Sequence, residues 1–331
     1  MTRRGLLLFL ALGVIWGLPY LLIRVAVRDV APAFLVFVRT GGGALLMAPF
    51  VVRKGALKPL LPHWRAIVVY TVVELCVPWW LLFTAEKKVS SSLSGLLVAA
   101  VPIAGAVIAR ITGTDRIDTR RLAGLGLGIV GAAALVGFDV GRSSLLAASS
   151  FLLIITGYAL GPWILARHLS ELASNSVILA SLVIGAVAYA PFAMVQRPRH
   201  SVPVNAILSM AGLTVVCTAL AFTCFFALIK EVGPMRATVV TYVNPAVAVL
   251  LGVTVLGESF GWATAVGFVC VLGGSWLATR PLRVAGVSSA PGGTPVVEEV
   301  PVGPVGAGTL PGGALSAEGV VEVRPASGAP G

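Results

Sequence analysis

Two charged residues stand in long apolar stretches, where a charge could do chemistry inside a membrane. Glu74 lies in the run VYTVVELCVPWW, residues 69–80, and Arg39 lies in an apolar stretch that begins near residue 33. A charged side chain at the centre of a bilayer costs roughly 2.5–3.5 kcal/mol on insertion scales, so such residues usually face a bundle interior, a pathway or a partner. Both residues are therefore candidates for a binding site.

Three interpretations of Glu74 remain open at this point. It could form an ion pair with Arg39 on the neighbouring helix. Counted from the span ends at a rise of 1.5 Å per residue, the depths of the two residues in the membrane differ by about 9 Å, which two long side chains can span. It could be a neutral carboxylic acid that is hydrogen-bonded in the packing. It could also be a titrating carboxylate in a cavity, where it binds a cation or carries a coupling proton.

Other familiar chemical sites are not supported. The run GLGLGIVG contains GxGxxG at Gly126, Gly128 and Gly131, but this motif indicates dinucleotide binding only between a strand and a helix. Close helix packing explains these glycines better. The four cysteines form no CxxC pair, no Walker A sequence is present, and the apolar runs contain no histidine. We expect no cofactor and no metal.

The composition indicates an integral membrane protein. Of the 331 residues 57% are hydrophobic and 11% are charged, whereas soluble domains have about 25% charged residues. The net charge of +11 comes from short basic clusters between apolar runs, which does not favour nucleic-acid binding. Runs of about 20 apolar residues predict membrane-spanning helices. The ten predicted spans are 5–26, 33–52, 66–85, 89–111, 122–138, 145–166, 177–195, 206–229, 234–256 and 261–279.

The chain matches itself at a constant offset of 143 residues. This register places Pro19 on Pro162, Pro102 on Pro245 and Phe83 on Phe226 without a gap. Since each copy has five spans, the second copy must enter the membrane from the opposite side. Inverted repeats of this kind are typical of secondary transporters that bind substrate near the midplane. We predict an all-α integral membrane fold with repeats at 1–143 and 144–279.

Breaks at matching positions of two repeats point to a binding site. Proline removes a backbone donor and tends to kink a helix, so we predict helix breaks at Pro102, Pro245, Pro19 and Pro162. Asn244, which precedes Pro245, is included in the expected cavity. Four aromatic residues could belong either to an interfacial belt or to the lining of the cavity. They are Trp16, Tyr20, Tyr158 and Tyr242.

Lysine and arginine are concentrated in the segments that would be cytoplasmic if the N-terminus were inside. We therefore expect both termini to be cytoplasmic. The first apolar run is longer than the core of a signal peptide, and we expect a retained span. Residues 280–331 are rich in Gly, Pro, Val and Ser, which predicts a disordered tail that is dispensable for transport.

The ensemble of motifs resembles the EamA family of the drug/metabolite transporter superfamily. The features are the two copies of five spans, Trp16–Gly17, Arg39 in the second span after the stretch that begins at Pro32, AVP and VNP in the fourth span of each copy, and LGES at 256–259. This resemblance implies a bacterial inner-membrane permease, usually an exporter of amino acids, metabolites or drug-like compounds. The first-copy counterpart of LGE is weakened to TGTD, residues 112–115.

Three functional classes compete. The favoured class is a secondary carrier of small molecules that works by alternating access within the lipid bilayer. The sequence does not decide whether protons are coupled to transport. An intramembrane enzyme acting on lipid-linked substrates would need a cluster of acidic, His or Ser/Lys groups, which the spans do not offer. A membrane scaffold would leave the paired breaks and the intramembrane charges unexplained. The sequence does not decide between a monomer and a homodimer.

Overall fold

The computed structural model describes residues 2–52, 57–113, 119–139, 142–232, 240–241, 243–259 and 261–279. Tyr242, Asp115 and the tail predicted at 280–331 lie outside the described residues. All regular elements of the described part are helical. The α-helices of this described part are α1 Arg3–Ala26, α2 Pro32–Val52, α3 Trp64–Thr71, α4 Val77–Ala85, α5 Ser91–Val98, α6 Val101–Ile111, α7 Thr119–Asp139, α8 Arg142–His168, α9 Ser174–Val195, α10 Val204–Ala211, α11 Ala221–Val232, α12 Asn244–Leu256 and α13 Trp262–Thr279.

Two segments of π-helix interrupt this pattern. The first π segment, Val72–Cys76, joins α3 to α4, and the second π segment, Gly212–Leu220, joins α10 to α11. A 3₁₀ turn at Lys58–His63 precedes α3. Shifted by 143 residues, the first π segment falls inside the second. The sequence did not predict either widened turn.

Among the described residues, seven continuous helical stretches are long and apolar enough to cross a membrane, some of them formed by two or more of the elements above. Three shorter apolar helices lie at the remaining predicted places, at 122–131, 244–256 and 264–277. Large apolar side chains cover much of the outer surface; Leu45, Phe50 and Ile111 are each more than three-quarters exposed. Such a surface is unfavourable in water and is typical of helices that face lipid.

The helix pairings correspond between the two halves of the chain. Helix α2 packs on α9, and α7 packs on α13, so each of these pairs joins helices at equivalent positions. Helix α1 packs on α12 much as α8 packs on α5 and α6. The second π segment and its flanking helices contact α1, and the first π segment and α4 contact α8. These contacts therefore correspond between the two halves.

Glycines allow the closest of these helix contacts. A Cβ on Gly131 of α7 would lie 2.6 Å from the Cβ of Cys270, and one on Gly274 of α13 would lie 2.5 Å from the backbone nitrogen of Gly128. Side chains there would push the helices apart. Gly128 and Gly131 of GLGLGIVG thus serve packing between α7 and α13, whereas Gly126 has no neighbour within 4 Å of an added Cβ. No strand precedes these glycines among the described residues.

Two of the four predicted proline breaks are absent. The α5–α6 boundary falls at Ala99–Ala100, and Pro102 is the second residue of α6, while Pro245 is the second residue of α12. In contrast, Pro19 and Pro162 lie inside the continuous helices α1 and α8. A proline removes only one backbone donor, and neighbouring helices can compensate for the lost hydrogen bond in a membrane bundle.

Candidate functional site

Arg39 connects the two halves of the chain at a buried point. Its side chain is only 7% exposed. Its Nε donates to Thr218 Oγ1 at 3.0 Å, and its guanidinium carbon lies 3.7 Å from the ring centroid of Trp79. Since Trp79 belongs to α4 and Thr218 to the second π segment, one arginine on α2 contacts both halves.

The second π segment positions the hydroxyl of Thr218. Thr218 Oγ1 donates to the carbonyl of Leu213, five residues earlier, at 2.8 Å. In an α-helix the hydroxyl would bond three or four residues back, so the widened turn changes where this side chain points. The hydroxyl can then accept from Arg39 as well. π-bulges often mark functional sites.

Two tyrosines complete the surroundings of Arg39. Tyr20 of α1, which is buried, and Tyr158 of α8 lie close enough to interact electrostatically with the guanidinium. Tyr158 also lies next to Trp79. The structure therefore brings together three residues predicted from sequence, Arg39, Tyr20 and Tyr158, in one cluster with Trp79 and Thr218. We call these five residues the Arg39 cluster.

Glu74 occupies the first π segment and faces α8. Its Oε2 atom is buried without a hydrogen-bond partner. A Cβ on Gly161 of α8 would lie 2.9 Å from the Glu74 Cβ and would collide with the carboxylate. The nearby carbonyl of Cys76 accepts from the Tyr189 hydroxyl at 2.9 Å. The first π segment is thus held from α9, while its carboxylate lies against the glycine surface of α8.

The ion pair between Arg39 and Glu74, one of the three alternatives, does not form. The described partners of Arg39 are Thr218 and the aromatic rings, and Glu74 has no hydrogen bond to it. Glu74 instead lies within electrostatic range of Tyr158 and Tyr70, without a hydrogen bond to either. The neutral acid and the titrating carboxylate remain as interpretations.

Trp16 and Asn244 lie in other surroundings. The Trp16 ring packs on Phe225 with 4.9 Å between centroids, in a separate apolar cluster of α1 and α11. The amide of Asn244, oriented so that its nitrogen donates, bonds the carbonyls of Gly13 at 3.2 Å and Val240 at 3.1 Å. Asn244 therefore fixes the start of α12 against α1. Neither residue contacts Arg39.

At the end of the bundle where α1 ends, Glu258 connects the halves a second time. Its carboxylate accepts from the backbone nitrogens of Ser91 at 2.7 Å and Ser92 at 2.9 Å, and from Ser92 Oγ at 2.5 Å. These donors form the first turn of α5, where a negative charge is favourable. Burial opposes ionisation, but the hydrogen bonds from Ser92 and Ser91 hold the pKa of the Glu258 carboxyl below its usual value. Glu258 is thus an ionised cap on a helix of the other half.

Glu86 is a second acid at this end, and sequence reasoning missed it. It follows α4 and is fully buried, and both carboxylate oxygens lack a partner. Arg24 donates to its backbone carbonyl rather than to its carboxylate. Burial raises the pKa of the Glu86 carboxyl well above its usual value, against the opposing charge of Arg24. It directly precedes Lys87 and Lys88 in the sequence, and no signal in the sequence indicated that it is buried.

A cavity of about 400 Å³ opens at the opposite end, where α1 begins. It lies between α2, which carries Arg39, and α11, which follows the π segment of Thr218. Met47 is eight residues from Arg39 along α2, about 12 Å at 1.5 Å per residue. The charged and polar residues that line the cavity are Arg4, Asn175, Thr223, Lys230 and Glu231. One end of the bundle is therefore joined by Glu258 while the other holds a polar cavity.

Comparisons with known proteins agree on a transporter family. The chain is 29% identical over 255 residues to the inner membrane transporter YedA of Escherichia coli K12, covering 75% of this chain and 82% of YedA. It is 24% identical to protein PagO of Salmonella typhimurium LT2, covering 74% and 83%. It is 21% identical to a protein of the same strain named "Probable amino-acid metabolite efflux pump", covering 86% and 97%.

A solved crystal structure has the same fold, with a TM-score of 0.61 and 17% identity, covering 84% of this chain and 97% of that chain. The model of the EamA-like transporter family matches twice, at residues 3–137 and 145–280. These two matches include almost all of the described helices, and YedA is named as an inner membrane transporter. The chain belongs to the EamA-like transporter family.

Proposed function

We propose that the protein is a secondary transporter that exports small metabolites, amino acids or drug-like compounds by alternating access. The observation that carries this proposal is the Arg39 cluster, in which buried polar groups from both halves meet between helices. A buried arginine without a carboxylate partner is costly for a structure that only needs to pack. Charged residues inside a membrane commonly mark the pathway of a substrate.

The ten-span inverted repeat is part of the proposal. It is supported by the corresponding helix pairings of the two halves, by the π segments at equivalent positions and by the two matches to the family model. With the N-terminus in the cytoplasm, the cavity lined by Arg4 and Lys230 opens to the inside. The contact between Glu258 and the start of α5 then closes the outside. This arrangement corresponds to an inward-facing state.

Export is the proposed direction, and it rests on the relatives. One of them carries the name of an amino-acid metabolite efflux pump. Bacterial inner-membrane residence is proposed on the same basis, since YedA is named as an inner membrane transporter. Transport in the exporting direction requires that the outer contact at Glu258 opens while the cavity between α2 and α11 closes.

Glu74 is the proposed coupling residue. Its Oε2 is buried without a partner, close to Tyr158 of the Arg39 cluster, which is the position expected for a group that gains and loses a proton during transport. Glu74→Gln keeps the size of the side chain and removes the titration. We expect this variant to transport without dependence on a pH gradient. Full, pH-dependent transport by Glu74→Gln would contradict the coupling role.

The test of the function is transport by the purified full chain in proteoliposomes. Efflux and uptake are measured for a panel of amino acids, organic acids and cationic compounds, with and without a pH gradient. We expect saturable movement of at least one class in protein-containing vesicles and none in empty vesicles. Turnover of a lipid-linked compound without net transport would favour the intramembrane enzyme, and neither activity would favour the scaffold.

A further inference from the structure

Arg39 is a buried cation without a counter-charge among the described residues. The two acids nearest to the Arg39 cluster, Glu74 and Glu86, interact electrostatically with Tyr158, and neither forms a hydrogen bond or ion pair with Arg39. An unpaired charge in a low-dielectric site is unfavourable, and an anion that enters the site would relieve this cost. The site is therefore complementary to a negative group that the described residues do not supply.

The free edge of the Arg39 guanidinium determines which negative group of a ligand would fit. Thr218 takes the Nε hydrogen and Trp79 covers one face of the plane. No described residue accepts a hydrogen bond from the two Nη groups, which carry four of the five N–H donors of arginine. A carboxylate fits two parallel N–H donors in a bidentate arrangement.

The charge balance favours a carboxylate over a phosphate. One guanidinium neutralises one carboxylate, whereas a phosphate dianion would need a second cation. No other described Lys or Arg contacts the Arg39 cluster, which otherwise consists of aromatic rings and hydroxyl groups. Phe83 lies 6.0 Å from the guanidinium carbon and adds an apolar ring to the surroundings. The rings suit a substrate with an apolar or aromatic body next to its carboxylate.

The cavity at the end where α1 begins also favours anions. It contains Arg4 and Lys230, and its one acid, Glu231, accepts a hydrogen bond from the Thr2 hydroxyl. Two cations at the entrance raise the local concentration of anions. The route between α2 and α11 thus presents positive charge first at the entrance and again at Arg39.

We propose that Arg39 is the substrate-binding residue for a carboxylate, and that the transported compounds are small carboxylates with an apolar or aromatic body. This inference rests on the proposed transport function, of which it names the substrate class. Thr218 and Trp79 act as positioning residues, since they hold the guanidinium edge toward the ligand. A neutral amide of the same size offers no charge to Arg39 and is a poor substrate.

Four matched phenylalanine compounds test this inference in proteoliposomes. N-acetylphenylalanine is an anion, phenylalanine a zwitterion, phenylalanine amide a cation and N-acetylphenylalanine amide neutral. We expect wild-type protein to transport at least one of the two carboxylates, and to prefer each carboxylate that moves over its amide at least about tenfold. Arg39→Gln is expected to lose this preference, and Arg39→Lys, which keeps the charge but not the planar fork, to retain a part of it.

Arg28→Gln is the matched control, because Arg28 is exposed outside the helices. The melting temperature of each variant separates loss of binding from loss of fold. Arg39→Gln removes a buried charge and is expected to melt no lower than wild type. Carboxylates are expected to raise the melting temperature of wild type and of Arg28→Gln, but not that of Arg39→Gln. Equal transport of carboxylates and amides, or an unchanged preference in Arg39→Gln, would overturn the inference. If none of the four compounds binds or moves while others of the wider panel do, the inference fails and the transport function stands.

Discussion

Removal of the Glu258 carboxylate is expected to destabilise the protein measurably. The carboxylate accepts two backbone N–H groups of the first turn of α5 and one hydroxyl. Loss of a helix-capping side chain costs about 1 kcal/mol for one N–H group, and a charged acceptor contributes more than a neutral one. Glu258 is half-buried, so water replaces part of the lost interaction. We expect Glu258→Ala to cost about 2 kcal/mol.

Thermal unfolding of the purified protein measures this cost. An unfolding entropy of about 2.1 cal/mol/K per residue corresponds to about 1.7 °C per kcal/mol for about 280 ordered residues, so a drop of about 3–4 °C is expected for Glu258→Ala. Glu171→Ala is the matched control, since Glu171 is an exposed glutamate in the turn after α8. If both variants melt within about 1 °C of wild type, the hydrogen bonds across the halves contribute no net stability, and the reasoning about the cap is wrong.

The same contact predicts the sign of a pH dependence. Hydrogen bonds depress the pKa of Glu258 in the folded protein against the opposing effect of burial. The stabilisation is therefore fully present above the usual carboxyl pKa of about 4.3 and is lost as the pH falls through the lower folded value. The difference in melting temperature between wild type and Glu258→Gln is expected to shrink below about pH 4. A difference that grows on acidification would contradict the assignment.

Two further substitutions test other buried positions. Gly161→Ala is expected to lower stability by about 1–3 kcal/mol because its methyl group would displace the Glu74 carboxylate; Gly126→Ala, with nothing within 4 Å of the added Cβ, is the control, and equal melting temperatures would refute the contact. Glu86→Gln is expected to stabilise the protein more at pH 8 than at pH 5. Burial raises the pKa of Glu86 in the folded protein, so wild-type stability falls as the pH rises from the usual carboxyl pKa of about 4.3 through the pKa of the folded state, whereas glutamine does not titrate. A gain that is larger at pH 5 would show that Glu86 is ionised in the folded protein.

Much of the helical architecture could be predicted from the sequence. Apolar length alone predicts helices because a backbone in lipid must satisfy its own hydrogen bonds. The packing role of Gly128 and Gly131 in GLGLGIVG followed from their position inside a span. The breaks were harder to predict, since Pro19 lies in a continuous helix while Ala99 and Ala100, which carry no special signal, end one.

The site was predictable only in part. Arg39 and Tyr158 could be selected because a charge or a mid-span aromatic is conspicuous among apolar residues. Thr218 is inconspicuous, since its role depends on a π-helical turn that no residue type specifies. Glu86 was missed because burial of a carboxylate in a turn depends on contacts with Arg24 and with the segment around Glu258, which are distant in sequence.

Counterflow in proteoliposomes tests the central claim most directly, namely that the chain is a carrier whose site binds carboxylates through Arg39. Vesicles are loaded with unlabelled N-acetylphenylalanine and phenylalanine, diluted into medium that holds a trace of the labelled compounds, and followed without a pH gradient. We predict a transient accumulation of at least one label in wild-type vesicles that is absent from empty vesicles and from Arg39→Gln vesicles. The same accumulation with Arg39→Gln, or none with wild type, would contradict the account.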